Sequence, residues 1–345
     1  LIDEFQYAKD GGQKLKLVYD TLEKLKIIIT GTSSLEIASK VKSYMTGRLL
    51  TFNMYPFSFK EFLKYKNKRL EKIYIENNEK LINYIKNYNG ISIKEGKDTF
   101  RKEFLNLFEE YCIWGGYPSV VLSNTEIEKE KIISNIFNSY ILSEIKGLIE
   151  LDTERQLFLL SQMLSAQMGG IVVYNNLGNQ CGLNYKKLIK HLNILRATFI
   201  IRELKPYFKN KQKELSKNPK IYFIDNGFRN YLIKNYNRLN IRNDAGSLIE
   251  GVVFNRISEG FTDSGNPYFW RTKVGAEVDF VLLLRDSAIP IEVKFAEFKK
   301  PVISKSYISF INNFKPDYGL VLTKDYWGKL QYNGTEVVFA PVYYL

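Results

Sequence analysis

The stretch Gly275-Ala276-Glu277-Val278-Asp279-Phe280-Val281-Leu282-Leu283-Leu284, followed after residues 285–288 by Ile289-Pro290-Ile291-Glu292-Val293-Lys294-Phe295, decides how the C-terminal part of this chain is read. Two almost wholly apolar runs separated by a short polar segment predict a β-hairpin with a four-residue turn. In that register Leu284 opposes Ile289 and Asp279 opposes Lys294. Side chains alternate between the two faces of a strand, so Asp279, Glu292 and Lys294 are expected on one face. Charges set into apolar strands need partners or a metal ion.

A helix expected over residues 245–258 carries Glu250, a fourth group able to join them. Two carboxylates, Asp279 and Glu292, holding Mg2+, with Lys294 near an attacking water, make a phosphodiesterase site. Asp279, Glu292-x-Lys294 and Glu250 resemble the PD-(D/E)XK nuclease superfamily. The resemblance implies an α/β nuclease-like domain over residues 241–345 with these four as catalytic residues. Val278 stands where the motif name has Pro, a departure many members share. The alternative is an ion-pair network in a degenerate, non-cleaving fold that still binds DNA or mediates assembly.

Working upstream, residues 157–240 predict a winged helix. A helix near residues 157–168 ends at Gly169-Gly170. A second amphipathic helix starts at the N-cap Asn184, with Tyr185, Leu188, Leu192 and Leu195 on its apolar side. Lys186, Lys187 and Lys190 lie towards the other side and, with the Lys-rich loop 209–217, form a candidate DNA-binding surface. Strands are expected at 198–204 and 221–224. Residues 63–156 read as a helical lid or linker, interrupted by Trp114-Gly115-Gly116-Tyr117-Pro118, since paired Gly followed by Pro does not continue a helix.

At the start, Leu1-Ile2 has the form of the end of a buried strand and is followed by Asp3-Glu4. After a helical stretch over residues 14–25 comes a β-branched strand, Lys26-Ile27-Ile28-Ile29-Thr30, then Gly31-Thr32-Ser33-Ser34. Another strand is expected at Leu49-Leu50-Thr51-Phe52-Asn53-Met54, and Ser58 with Glu61 forms a capping box for the helix that follows. In P-loop ATPases an Asp in this position lies near the Mg2+ and the neighbouring Glu polarises the attacking water. Ile2-Asp3-Glu4-Phe5-Gln6, Ile29-Thr30-Gly31-Thr32-Ser33-Ser34, Thr46-Gly47-Arg48, the Tyr55–Phe62 stretch and Trp114-Gly115-Gly116-Tyr117-Pro118 together resemble a prokaryotic group of AAA+-type ATPases that carry a C-terminal nuclease-like domain.

That resemblance implies ATP and Mg2+ as cofactors, Asp3 as a metal and nucleotide residue, Glu4 as the catalytic carboxylate, Thr30 or Ser33 near the γ-phosphate, and Arg48 as a cation within or between subunits. No GxxxxGK[ST] exists in these residues; the nearest string, from Gly90 to Gly96-Lys97-Asp98, has the wrong spacing and an Asp where a hydroxyl is needed. The expectation is therefore a fragment cut just before its Walker B strand, lacking the phosphate loop and unable to hydrolyse ATP by itself.

The expected fold class is α/β multidomain: a partial P-loop ATPase core over 1–62, the helical lid, the winged helix and the C-terminal α/β domain. Composition bounds the rest. The 345 residues carry 50 Lys and Arg against 37 Asp and Glu, a formal charge of +13, which favours DNA as partner. One histidine, His191, excludes His-based zinc cages and HExxH chemistry; it is expected on an exposed helix face. Two cysteines, no signal peptide and no membrane-length apolar run suggest a cytoplasmic protein without membrane contact, and a homo-oligomer is compatible. A signalling ATPase with a protein-binding C-terminal domain is the other functional class these features allow.

Overall fold

The structure, a computed structural model, describes every residue except 23, 32–40, 42, 89, 143–153, 209, 211–213, 215, 216, 262–265, 285 and 286. Helix α1 (Gly11–Thr21) belongs to the first segment. Helices α2 (Phe59–Lys66), α3 (Lys68–Asn87), α4 (Arg101–Trp114), α5 (Pro118–Leu122) and α6 (Glu126–Ile136) make the helical region. Three more, α7 (Glu154–Ala166), α8 (Tyr174–Cys181) and α9 (Tyr185–Ala197), precede two strands, β2 (Ile201–Pro206) and β3 (Lys220–Phe223). Then come α10 (Asn226–Ile233), α11 (Ala245–Gly260), β4 (Tyr268–Arg271), β5 (Glu277–Leu284), β6 (Ser287–Lys294), α12 (Lys305–Phe314), β7 (Tyr318–Thr323), β8 (Tyr326–Tyr332) and β9 (Thr335–Pro341).

A two-residue strand in the helical region, β1 (Gly96–Lys97), joins the rest in one mixed sheet of order β1-β8-β9-β7-β6-β5-β4-β2-β3. The sheet therefore crosses residue 240: β2 pairs in parallel with β4 through Lys205↔Tyr268 and Pro206↔Phe269. Both faces are covered, as the near-continuous apolar character of β5, β6 and β7 requires. On one face Phe280, Leu282, Leu284, Ile289 and Ile291 join a core that runs through α11, α10, α7 and α4; on the other Val281, Ala288 and Val321 pack under Tyr307, Phe310 and Ile311 of α12.

Local signals explain most helix starts. Ser58 and Glu61 form the expected capping box, with Glu61 N–H donating to Ser58 Oγ and Ser58 N–H to Glu61 Oε2 at 2.8 Å. Asn184 caps α9 through Lys187 N–H at 2.9 Å. The Trp114–Pro118 break is a junction. Gly115 has φ +75°, and a Cβ there would stand 2.2 Å from Asp225; a Cβ on Gly116 would stand 2.1 Å from the Phe57 carbonyl. Phe57 N–H donates to Gly116 O at 2.7 Å, and Tyr111 Oη donates to Phe57 O at 2.8 Å, so the segment leading into α2 docks on this turn.

Several expectations are corrected. Of the strand predicted at 26–30, an isolated parallel bridge, Ile2↔Ile29, forms. Residues 49–54 are not a strand, and Leu50, Phe52 and Met54 are exposed. A buried strand needs a hydrogen-bonded neighbour on each side, and among the described residues the first segment supplies one pairing. Leu1 and Ile2 are accordingly exposed. His191 is buried, not exposed, with Nδ1 2.6 Å from Lys187 O; Leu188, His191, Leu192 and Leu195 make the inner face of α9, from which Tyr185 is excluded. The hairpin register differs from the expected one: Leu284 pairs with Ser287 and Phe280 with Ile291. Extended one residue further, that register sets Asp279 beside Glu292 and not Lys294. Glu292 and Lys294 stand two apart on β6 and share a face whatever the register.

Candidate functional site

The C-terminal cluster is built outward from α11. Its first turn is held by a buried network: Arg242 Nε donates to Asp244 Oδ1 at 2.8 Å, Arg229 pairs with Asp244 Oδ2, and Arg242 Nη2 donates to Asn230 Oδ1 at 2.8 Å. Hydrogen bonds from Arg242 and Arg229 hold the Asp244 carboxyl far below the usual range. The network fixes the helix that carries Glu250, whose Oε2 accepts a hydrogen bond from Tyr222 Oη at 2.9 Å. Burial pushes the Glu250 carboxyl up, opposed by Lys220 and the Tyr222 bond.

Asp279 joins the cluster through an irregularity. The β4–β5 register shifts between Tyr268↔Val281 and Trp270↔Val278, a bulge that breaks the alternation of β5. Bulges re-aim side chains and end pairing. Here the β5–β6 ladder stops at Phe280↔Ile291, and Asp279 Oδ2 accepts from Val293 N–H at 2.8 Å in place of a ladder bond. Burial, and after it the nearby Glu250 carboxylate, push Asp279 up to about 7 against the pull of Val293 N–H and Lys220. Glu292, buried, is held on both oxygens: Lys294 Nζ lies 3.0 Å from Oε1, and Ser304 Oγ, the N-cap of α12, donates to Oε2 at 3.0 Å. Burial works to lower the Lys294 pKa, but Glu292, Asp279 and Glu250 together hold it above the ordinary lysine value. Lys294 is thus a cation in this site.

Glu250, Asp279, Glu292 and Lys294 are therefore brought together. Among the described residues no three His, Cys, Asp or Glu side chains stand close enough to share one ion. A pair of carboxylates is still a sufficient protein donor set for Mg2+, which keeps several waters. Burial and, after it, the neighbouring Glu250 carboxylate leave Asp279 short of opposing positive charge, and a divalent cation beside it would supply that charge. The donors fit such an ion.

Two partners of this cluster carry no motif. Lys220 is 3% exposed, ion-paired with Glu277, and lies 5.3 Å over the Phe269 ring; Tyr222 is fully buried. They stand two apart on β3, hence on one face, and nothing in that spacing marks them as part of a site. Asp225 is the third residue missed. Its carboxylate accepts from Gly116 N–H at 2.7 Å and Phe228 N–H at 2.9 Å, and burial nonetheless raises it to about 6.

At the other end, Asp3, Glu4 and Thr30 come together. Ile2 N–H donates to Ile28 O at 2.8 Å and Thr30 N–H to Ile2 O at 2.9 Å, and Thr30 Oγ1 donates to Asp3 Oδ1. Glu4 has φ 51° and accepts from Gln6 Nε2. Arg48 stands apart: it pairs with Asp20 at 2.6 Å and lies over the Tyr19 ring at 5.3 Å. Ser33 lies outside the described residues. On α9, Lys186, Lys187 and Lys190 are exposed; of the 209–217 loop only residues 210, 214 and 217 are described. No helix among the described residues is long and apolar enough to cross a membrane.

Comparison with known proteins covers most of the chain in three pieces. An AAA domain model matches residues 1–63, a domain of unknown function (DUF8612) matches residues 105–240, and a second domain of unknown function (DUF4143) matches residues 245–343. The first match points to an ATPase-like protein of the AAA superfamily, a class that uses nucleotide and Mg2+. Among individual relatives, an uncharacterized protein of Haemophilus influenzae is 24% identical over 99% of this chain and 76% of its own length. An uncharacterized protein of Methanocaldococcus jannaschii is 23% identical over 91% of this chain, which spans 65% of that relative. An uncharacterized protein of Mycobacterium tuberculosis is 31% identical over 34% of this chain and 26% of its own length.

Proposed function

We propose that the chain belongs to a nucleotide-dependent ATPase of the AAA kind that acts on DNA through a winged-helix-like module and a PD-(D/E)XK nuclease-like domain. The observation that carries the nuclease reading is the Asp279 bulge, which gathers two acids and a cationic lysine beside a third acid at the open end of β5 and β6. Asp279 and Glu292 would hold Mg2+, and the ion when bound supplies Lewis-acid polarisation of a phosphodiester oxygen. Lys294 offsets charge developing on the phosphate. Glu250, its carboxyl raised by burial, is suited to accept a proton from the attacking water. Helices α7, α8 and α9 followed by the antiparallel β2–β3 pair have the element order of a winged helix, and the exposed lysines of α9 suit a phosphate backbone. In the first segment the Thr30–Asp3 bond supports Asp3 at a Mg2+ and Thr30 beside the γ-phosphate, with Glu4 orienting water; Arg48 would act only after leaving Asp20.

Occupation of both Glu292 oxygens favours a second reading, a non-cleaving DNA-binding domain whose cluster is an ion-pair network. Nicking of supercoiled plasmid with Mg2+ or Mn2+ separates the two. Nicking by the wild-type chain that is lost in Asp279→Ala and Lys294→Ala supports the nuclease; no nicking by any of the three, with DNA binding retained, leaves the second reading.

A further inference from the structure

We infer that Tyr222 and Lys220, both on β3 and outside the matched C-terminal domain, are positioning residues of the Glu250–Asp279–Glu292–Lys294 cluster, so that the candidate cation site is composite. The inference rests on the reading that Asp279 and Glu292 hold a divalent cation. Two observations meet at Glu250, and a third places a cation on the same face of β3. Tyr222 Oη donates to its Oε2 at 2.9 Å. The turn after α7 closes over the same oxygen: Gly169 has φ +80°, its N–H donates to Ile221 O at 3.0 Å, and a Cβ there would lie 3.4 Å from Glu250 Oε2. Lys220, two residues before Tyr222, is buried and paired with Glu277, whose other oxygen takes Arg271 Nη1 at 3.0 Å.

The chemistry of the arrangement is specific. Glu250 and Asp279 repel one another in a water-poor setting, which costs free energy unless cations or donors oppose it. Lys294 faces them from the exposed side and Lys220 from the buried side. Lys220 opposes the upward displacement of both acids. Tyr222 orients the Glu250 carboxylate. Glu250, placed at the attacking water, belongs to the outer shell of the ion, and outer-shell partners commonly change metal affinity or activity 10- to 100-fold when removed. Tyr222 and Lys220 come from β3, which reaches the domain through β2 and its parallel pairing with β4. Residues from the segment matched over 105–240 thus complete a site whose acids lie in the segment matched over 245–343.

The test uses the whole 345-residue chain and Mn2+ alone, with binding read by the loss of the free-ion electron paramagnetic resonance signal. The variants are Tyr222→Phe, which deletes one oxygen, and Lys220→Gln. Tyr74→Phe is the control, since Tyr74 is equally buried and its Oη donates to Leu345 O at 3.0 Å, far from the cluster. Expected is a weakening of Mn2+ affinity on the order of tenfold or more in Tyr222→Phe, which still melts cooperatively, with Tyr74→Phe binding as wild type. Wild-type affinity in Tyr222→Phe, or an equal loss in Tyr74→Phe, overturns the inference and leaves the cation site standing. Should Lys220→Gln not fold, Tyr222→Phe decides alone. A wild-type chain that binds no Mn2+ overturns the cation reading and this inference with it.

Discussion

Asp225 is a buried carboxylate that serves the backbone. It caps α10 and receives Gly116 N–H, so one side chain joins the Gly-Gly turn to the helix before the candidate site. Burial places its carboxyl at about 6 in the folded chain, above the unfolded value near 3.9. The sign follows: the stability Asp225 contributes is complete below about pH 4 and is lost as pH rises through 6. Asn at this position does not titrate, and its amide nitrogen meets N–H donors. Asp225→Asn is therefore expected to be less stable by roughly 1–3 kcal/mol at low pH. The gap should narrow by about 2–3 kcal/mol between pH 4 and pH 7. Urea unfolding at a series of pH values measures both; a gap that widens with pH contradicts the assignment.

At the scale of elements, helix α9 offers a quantitative check on DNA as partner. If Lys186, Lys187 and Lys190 neutralise phosphates, replacing all three with Ala lowers affinity for any duplex and flattens the salt dependence by roughly 0.9 in logarithmic slope for each phosphate left without its lysine. Fluorescence anisotropy with a labelled duplex at several salt concentrations reads this, and an unaltered slope removes α9 from the interface. The elements also show where sequence is informative. The Ser58–Glu61 box and the Asn184 cap were legible because each lies within one helical turn. Glu292 and Lys294 were legible because residues two apart on one strand share a face whatever strand pairs with it. The bulge at Asp279 is formed against β4, and nothing local to Asp279 announces a strand some ten residues upstream. Lys220 and Tyr222 were missed for the same reason: Lys-Ile-Tyr-Phe reads as an ordinary core strand until its neighbours are known. Residues 49–54 have strand composition without strand structure, because composition states what a segment suits and not what lies beside it.

At the scale of the whole molecule, the nine-stranded sheet binds together segments that separate sequence models match singly. Strand β1 from the helical region pairs with β8, β2 pairs with β4, and Phe104 of α4 stacks on Tyr343 at 4.9 Å. A fragment of residues 241–345 would expose the β4 edge and the apolar faces that β3, α3 and α4 cover, so it is expected to aggregate or to melt without cooperativity. A fragment of residues 55–345 keeps all nine strands and should melt in one transition within a few degrees of the full chain. Circular dichroism melts of the two fragments test this, and a cooperative 241–345 fragment would show that the sheet is divisible.

Tyr55 marks the other boundary. Its ring lies 4.3 Å from the Arg202 guanidinium and 5.9 Å from Phe199, just before the Phe57–Gly116 dock, and no strand pairing among the described residues joins what precedes it to the nine-stranded sheet. In the currency of inheritance, this is where a recombination breakpoint does least harm. The segment ahead of Tyr55 could be exchanged as a cassette, provided the newcomer ended in an aromatic ring for Arg202, whereas a breakpoint near residue 241 would hand its recipient six strands of a nine-stranded sheet.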